Sequence, residues 1–152
     1  MTGRLIGIAR AREKRAPLEQ CASAEVSVEK GIAGDVRGTK EGRQVTVLFR
    51  EGWDDACRVL GDLLPWVSRR ANLLIEGIER PRRVGDYLHV GDIVLVVRDE
   101  TKPCVLMELA CRGLKAALTP EWRGGVCCDV VQGGTIRVGD PVALAESMVA
   151  AR

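Results

Sequence analysis

Short apolar stretches that end at glycine–aspartate corners are the feature that most restricts how this chain can fold. Val-Gly-Asp occurs at residues 84–86, 90–92 and 138–140. Glycine tolerates a positive φ and aspartate bonds its own backbone, so an apolar residue followed by Gly-Asp favours a tight turn between strands. The irregular spacing of the copies argues against a solenoid repeat. The pattern predicts many short strands joined by tight corners.

The stretches between the corners are rich in aliphatic and β-branched residues, which predicts strands. The predicted strands are 4–9, 25–29, 44–49, 73–75, 93–97, 126–131 and the stretch from 136 to 144. Helical spacing predicts a helix over 53–60 that ends at Gly61, and a second from about 104 to 118. The tail from 145 to 152 is expected either to extend as a short helix or to fray. We therefore expect a mainly β fold, a closed or nearly closed β-barrel with a few peripheral helices, rather than a doubly wound α/β sheet.

Length and composition indicate one domain and restrict its partners. A chain of 152 residues that is 46% hydrophobic fits a single domain over 1–152. A net charge of +2 does not indicate nucleic-acid binding, and no apolar stretch approaches the length of a membrane span. Six unpatterned cysteines without a secretory signal favour a reducing, cytoplasmic location. We expect a cytoplasmic protein with no nucleic-acid or membrane partner.

Cys104 is the cysteine whose sequence context favours chemistry. No Cys-x-x-Cys pair exists and His89 is the only histidine, so a structural zinc site is not expected. Cys104 follows Lys102-Pro103 at the start of the second predicted helix, where the helix dipole and unpaired N–H groups favour a thiolate. A thiolate is both a nucleophile and a soft-metal ligand. The alternative, a small buried hydrophobe, is the ordinary role of a free cysteine.

Three polar segments have the chemistry of an anion or heterocycle site. Lys30 precedes a glycine turn whose N–H groups can face an anion. Arg70 offers the forked donors that suit phosphate, and Asn72 can pair with the amide edge of a heterocycle. Arg123 adds a cation before Gly124-Gly125. Each segment can equally be a solvated loop or a turn before a strand.

Five segments in this order resemble a MOSC domain, the family named after the C-terminal domain of molybdenum cofactor sulfurase. They are Lys30-Gly-Ile-Ala-Gly-Asp35, Arg70-Ala-Asn72-Leu-Leu-Ile-Glu-Gly77, Leu88-His-Val-Gly-Asp92, Pro103-Cys104, and Arg123-Gly-Gly125 with Gly133-Gly-Thr-Ile-Arg-Val-Gly-Asp140. The resemblance is strongest over 26–144, nearly the whole chain, as in the small free-standing bacterial members. It implies the same mainly β, barrel-like fold.

The resemblance also implies a role for Cys104, because that residue matches the family's characteristic cysteine. In sulfurase-type relatives this cysteine takes part in sulfur transfer, and in amidoxime-reducing relatives it is a thiolate ligand of molybdenum. A molybdenum cofactor (molybdopterin) is then the expected ligand, with Cys104 as catalytic residue and metal ligand. Lys30, Arg70 and Arg123 would bind its phosphate and Asn72 its pterin edge. The sulfurase's pyridoxal-phosphate chemistry belongs to a separate domain, so we expect no pyridoxal phosphate site here.

Three functions stay open from the sequence. The first is a molybdenum-cofactor-binding protein, acting in cofactor or sulfur handling or as the catalytic part of a reductase of N-hydroxylated compounds. The second is a metal-free sulfur carrier with a persulfide on Cys104, and the third a non-catalytic module that binds an anionic ligand. The first two require a separate electron donor or a cysteine desulfurase as partner, and the reductase also requires a small-molecule substrate.

Overall fold

The computed structural model describes residues 3–145, in which short strands contain more residues than helices do. The strands are β1 (Gly3–Arg10), β2 (Glu19–Cys21), β3 (Ser23–Ser27), β4 (Gly31–Ile32), β5 (Val45–Phe49), β6 (Leu73–Glu76), β7 (Tyr87–Val90), β8 (Ile93–Glu100), β9 (Val126–Gln132), β10 (Gly134–Arg137) and β11 (Pro141–Ala145). The helices are α1 (Arg50–Leu60), α2 (Val105–Ala110) and α3 (Leu114–Leu118), with 3-10 turns at Trp66–Arg69 and Pro120–Trp122. The predicted short helix or frayed tail lies almost entirely outside the described residues.

Seven of these strands close into a barrel. The order is β1, β11, β7, β8, β9, β5 and β6, and β6 pairs with β1 to complete the circle. All pairs within the barrel are antiparallel except β5 with β6, whose parallel pairing requires the crossover that α1 supplies. β2 adds to β1 at the side, and β10, β3 and β4 form a separate small sheet. The prediction of a mainly β barrel with peripheral helices is confirmed.

Aliphatic side chains fill the barrel, and a second apolar layer lies under the helices. In β5, Val47 and Phe49 belong to the interior cluster, whereas Leu48 between them belongs to the outer cluster with Trp53 and Leu118. This alternation follows from the two-residue period of a strand. Every residue of β5 is buried because one face meets the barrel interior and the other meets the helices. The helices therefore cover one side of the barrel.

The structure corrects the predicted helix over 104–118. The chain leaves the helical conformation at Cys111, with φ −159° and ψ 129°, and turns through Gly113 at φ +90°. Two short helices, α2 and α3, result. Three strands, β2, β4 and β7, lie where none was predicted, and β10 joins the small sheet instead of the barrel. Across residues 3–145, no helix combines the length and the hydropathy needed to cross a membrane.

Candidate functional site

A pocket on the surface brings Cys104 together with several arginines. It contains about 390 Å³ of empty space, and its polar lining residues are Cys104, Thr46, Thr101, Arg37, Arg43, Arg69 and Arg70. We call it the arginine pocket. Its arginines and its thiol come from three parts of the chain: the loop between β4 and β5, the 3-10 turn before β6, and the segment between β8 and α2. β5, α2 and the loop before β9 contribute the remaining lining through Thr46, Leu106, Met107 and Gly124.

Cys104 is the residue that immediately precedes α2. Its backbone is extended, with φ −120° and ψ −176°, and its side chain makes no capping hydrogen bond. The residue is exposed, whereas Cys57, Cys127 and Cys128 are buried and Cys21 and Cys111 are partly covered. Because α2 has only six residues, its dipole is weaker than that of the predicted long helix. The surroundings of Cys104 are therefore set mainly by the side chains of the pocket.

Arg69 is a buried cation beside Cys104. The residue is 6% exposed, and its guanidinium donates from Nε to the Gly124 carbonyl at 3.1 Å and from Nη2 to the Thr101 carbonyl at 2.8 Å. Burial lowers the pKa of Arg69 to about 10, and the electrostatic interaction with Cys104 opposes this shift. Arg69 remains charged at neutral pH. It also links the Thr101 segment, which leads to Cys104, to the glycine pair before β9.

The positive charge of the pocket is not neutralised by carboxylates. Within residues 3–145, none of the four pocket arginines forms an ion pair with an acidic side chain. Burial, followed by the nearby charge of Arg43, lowers the pKa of Arg37, and the Asp35 carboxylate opposes this only in part. Arg43 has a buried Nε that lacks a hydrogen-bond partner. Since buried charges and donors without partners are costly, this arrangement favours a bound anion.

Of the residues predicted for the site, Arg70 and Cys104 come together in the arginine pocket. Arg70 has a left-handed backbone, at φ +62°, and its Nη2 donates to the Ala16 carbonyl at 2.6 Å. Lys30 is exposed, and Arg123 is half-buried with its Nη1 donating to the Ala117 carbonyl at 3.1 Å. Lys30 and Arg123 are not among the residues that line this pocket.

Asn72 is buried and tied into the fold by its side-chain amide. Its Oδ1 accepts hydrogen bonds from the Thr46 backbone N–H at 3.0 Å and from the Thr46 hydroxyl at 3.3 Å. Its Nδ2 donates to the Ala9 carbonyl at 3.1 Å. Asn72 lines a neighbouring cavity of about 310 Å³, which also contacts Arg37 and Arg70. The amide thus connects β5 to β1 next to the pocket.

The sequence patterns do not single out Arg43 and Arg69 as site residues. Both lie shortly before predicted strands, Arg43 within Gly42-Arg43-Gln44 and Arg69 within Ser68-Arg69-Arg70. A cationic residue directly before an apolar strand could have indicated them, because strand ends bring such residues to one edge of a barrel. The same signal occurs at loops that are only solvated.

A model of a known protein family matches most of this sequence, including the residues of the pocket that carry its charge and its thiol. The MOSC domain family model matches residues 33–143, which include all four pocket arginines and Cys104. The chain belongs to the MOSC domain family. No curated protein matches it significantly.

Solved structures similar to this chain share the MOSC-type fold. The YuaD protein from Bacillus subtilis aligns with a TM-score of 0.78 and 19% identity, over 97% of this chain and 98% of that one. YiiM from Geobacillus stearothermophilus aligns with a TM-score of 0.74 and 17% identity, over 95% of this chain and 75% of that one. YiiM from Escherichia coli has a TM-score of 0.70 and 17% identity, over 97% of this chain and 72% of that one. At these identities the comparison concerns the fold alone.

Proposed function

We propose that this MOSC protein binds a molybdenum cofactor in the arginine pocket, with Cys104 as thiolate ligand of the metal. One observation carries the proposal: an exposed thiol lines the same pocket as four arginines, none of which pairs with a carboxylate among residues 3–145. Molybdenum pterin cofactors are anionic through a phosphate and bind their metal through soft sulfur. Guanidinium groups and a thiolate are the protein groups that complement these two properties.

The arginines of the pocket supply positive charge, and Cys104 supplies the sulfur ligand. Arg69 keeps its positive charge fixed next to Cys104 because two backbone carbonyls hold its guanidinium. Arg43, with its buried unpartnered Nε, would gain a hydrogen-bond acceptor when an anion binds. When bound, the cofactor supplies a redox-active metal that can reduce N-hydroxylated compounds. Cys104 lies on the exposed side, so a substrate and an electron-donating partner protein can reach it.

A metal at Cys104 would take its other ligands from the cofactor. Within the part of the chain that the structure describes, no group of three or more histidine, cysteine, aspartate or glutamate side chains is arranged to hold a metal ion. A single thiolate is enough for a cofactor that brings its own sulfur ligands. The pocket therefore suits a metal that arrives within a cofactor better than a free ion.

The exposure of Cys104 also supports a second candidate function, that of a sulfur carrier. The Cys104 thiolate would attack the outer sulfur of a persulfide on a cysteine desulfurase, form its own persulfide and release the desulfurase thiol. The neighbouring Arg69 would stabilise the resulting anion. This reaction requires neither metal nor cofactor in the pocket, which distinguishes it from the first proposal.

The role of the pocket arginines can be tested through cofactor retention. Protein purified anaerobically from a host that makes the cofactor would be measured for molybdenum per chain and for its visible spectrum. Arg70→Asn tolerates the left-handed backbone but removes the charge, so we expect it to lose most of the metal. Arg70→Lys should restore only part of it, because a point charge cannot reproduce the forked donors.

Arg112→Ala is the matched control, since Arg112 is exposed and does not line the pocket. It should keep the wild-type metal content. Unchanged molybdenum in Arg70→Asn, with folding verified by circular dichroism, would remove Arg70 from the site. A wild-type protein without molybdenum but with an extra sulfur on Cys104, after incubation with a cysteine desulfurase, would favour the carrier.

A further inference from the structure

A groove adjoins the arginine pocket and shares part of its wall. The groove is lined by Arg15, Ser68, Arg70, Leu106, Met107 and Ala110, and it contains about 520 Å³ of open space. Arg70, Leu106 and Met107 also line the arginine pocket, so the two spaces meet at these side chains. A ligand in the groove would lie next to the space that Cys104 lines.

The two walls of the groove differ in chemistry. One wall is aliphatic and comes from α2, where Leu106 is 37% exposed and Met107 is buried beneath it. The other wall has two guanidinium groups, Arg15 and Arg70, and the hydroxyl of Ser68. Among residues 3–145 no acidic side chain lines the groove, so within the described chain its cations face no competing carboxylate there. Such a surface complements a molecule that combines an apolar body with a negative charge.

The cationic wall is held in place by the fold. Arg70 donates from Nη2 to the Ala16 carbonyl at 2.6 Å, which ties the loop carrying Arg15 to the turn before β6. Arg15 and Arg70 both have left-handed backbones, at φ +65° and +62°. Side chains other than glycine rarely adopt this conformation, and it often occurs where a ligand is held. The Arg70 guanidinium is therefore held before any ligand binds, and the fold fixes the backbone from which Arg15 extends.

We propose that this groove binds a small amphipathic carboxylate, with its chain along Leu106 and Met107 and its carboxylate between Arg15 and Arg70. Among the described residues six line the groove, far fewer than the roughly 20–30 that each side of a typical protein–protein interface contributes, which favours a small acid over a segment of a partner protein. That such an acid is the substrate delivered to Cys104 rests on the proposed function, whereas its binding to the groove does not.

The test is a titration of the isotope-labelled full chain with hexanoate, followed by backbone amide chemical shifts in NMR spectra. Hexanoate should shift the amides of Ser68, Leu106 and Ala110 with a saturable dependence on concentration. Acetate has the charge without the chain, and hexylamine has the chain with the opposite charge. Both should bind at least about fivefold more weakly, the loss expected for a few methylene contacts or one charged contact.

Two pairs of variants locate the site. Arg15→Asn and Leu106→Ala should each weaken hexanoate binding by roughly three- to fivefold. Their controls, Arg112→Asn and Leu109→Ala, remove exposed side chains of the same types that do not line the groove, and they should bind hexanoate like the wild type.

Several results would overturn the proposal. They are equal binding of hexylamine or acetate, the absence of saturable shifts at these amides, and equal effects of the groove and control variants. If the protein contains molybdenum but does not bind hexanoate, only the groove proposal is contradicted. If the protein binds hexanoate but never contains molybdenum, only the proposed function is contradicted.

Discussion

Replacing Asn72 separates its role in the fold from a role in ligand binding. The side chain of Asn72 makes three hydrogen bonds within the protein, two with Thr46 and one with the Ala9 carbonyl. Asn72→Ala removes all three and leaves the Thr46 N–H and the Ala9 carbonyl without this partner in a buried region. A buried polar group that loses its partner costs about 1–3 kcal/mol. We therefore expect the free energy of unfolding to fall by about 2–5 kcal/mol.

For a domain of this size, that loss corresponds to a fall in Tm of roughly 6–15 °C. Urea unfolding followed by circular dichroism and tryptophan fluorescence measures the free energy directly. Gln132→Ala is the control, because Gln132 is exposed and its amide makes one hydrogen bond, to the Asp92 carbonyl at 2.9 Å. It should change stability by less than about 0.5 kcal/mol.

A loss below about 1 kcal/mol in Asn72→Ala would refute this account of the amide, since even one unpaired buried group should cost that much. If such a variant also lost cofactor while keeping wild-type stability, Asn72 would act on the ligand, as the MOSC resemblance implies. The same pair of measurements therefore decides between the two roles.

Three further predictions follow from the packing and from the cysteines. Gly125→Ala should destabilise by roughly 3 kcal/mol or more in urea unfolding, because Gly125 has φ +93° and its added Cβ would clash with the Val47 carbonyl oxygen. The control Gly61→Ala, at φ +75° with open space around it, should cost only about 1 kcal/mol. Mass-spectrometric mapping of alkylation in the native protein should find Cys104 labelled first and Cys128 last, and earlier labelling of Cys128 would contradict the burial pattern. Burial raises the pKa of the Cys128 thiol well above its ordinary value of 9.0. Above that pH the unfolded chain therefore releases a proton that the folded chain keeps, and the free energy of unfolding should fall as pH rises. Urea unfolding at a series of pH values measures this fall, and its slope should be smaller in Cys128→Ala.

Much of the barrel was predictable because its strands carry their own signals. β5, β6, β8 and β9 are each made mainly of apolar, strand-forming residues, and α1 ends before Gly61 as its helical spacing predicts. β2 and β7 were missed because both are short and mix polar with apolar residues. These two strands form through pairing with β1, β8 and β11, which a local pattern does not reveal.

The prediction of one long helix over 104–118 was wrong for a local reason. Apolar spacing continues from Met107 to Leu118, but Gly113 adopts φ +90° and Cys111 is extended. Glu108 stabilises the break, because its carboxylate accepts hydrogen bonds from the N–H groups of Gly113 at 3.0 Å and Lys115 at 3.3 Å. Periodicity alone cannot show that a side chain captures backbone donors in this way.

The site was only partly predictable, because barrel closure assembles it. Arg70 and Cys104 stood out from their sequence context and lie together in the pocket. Arg43 and Arg69 became visible as site residues only when three distant segments met. Their burial and the absence of carboxylate partners among the described residues are properties of the folded chain. Neither can be deduced from a sequence in which basic and acidic residues nearly balance, 23 to 21.

The most direct test of the central claim is the molybdenum content and visible spectrum of Cys104→Ser protein, purified anaerobically from a host that makes the cofactor. Serine keeps the size of the side chain but offers a hard oxygen in place of a soft thiolate. Cys111→Ser is the control, because Cys111 follows the last residue of α2 and does not line the pocket. We predict that Cys104→Ser loses metal or the thiolate-dependent absorption while Cys111→Ser matches the wild type. Full metal content with an unchanged spectrum in Cys104→Ser would contradict the claim.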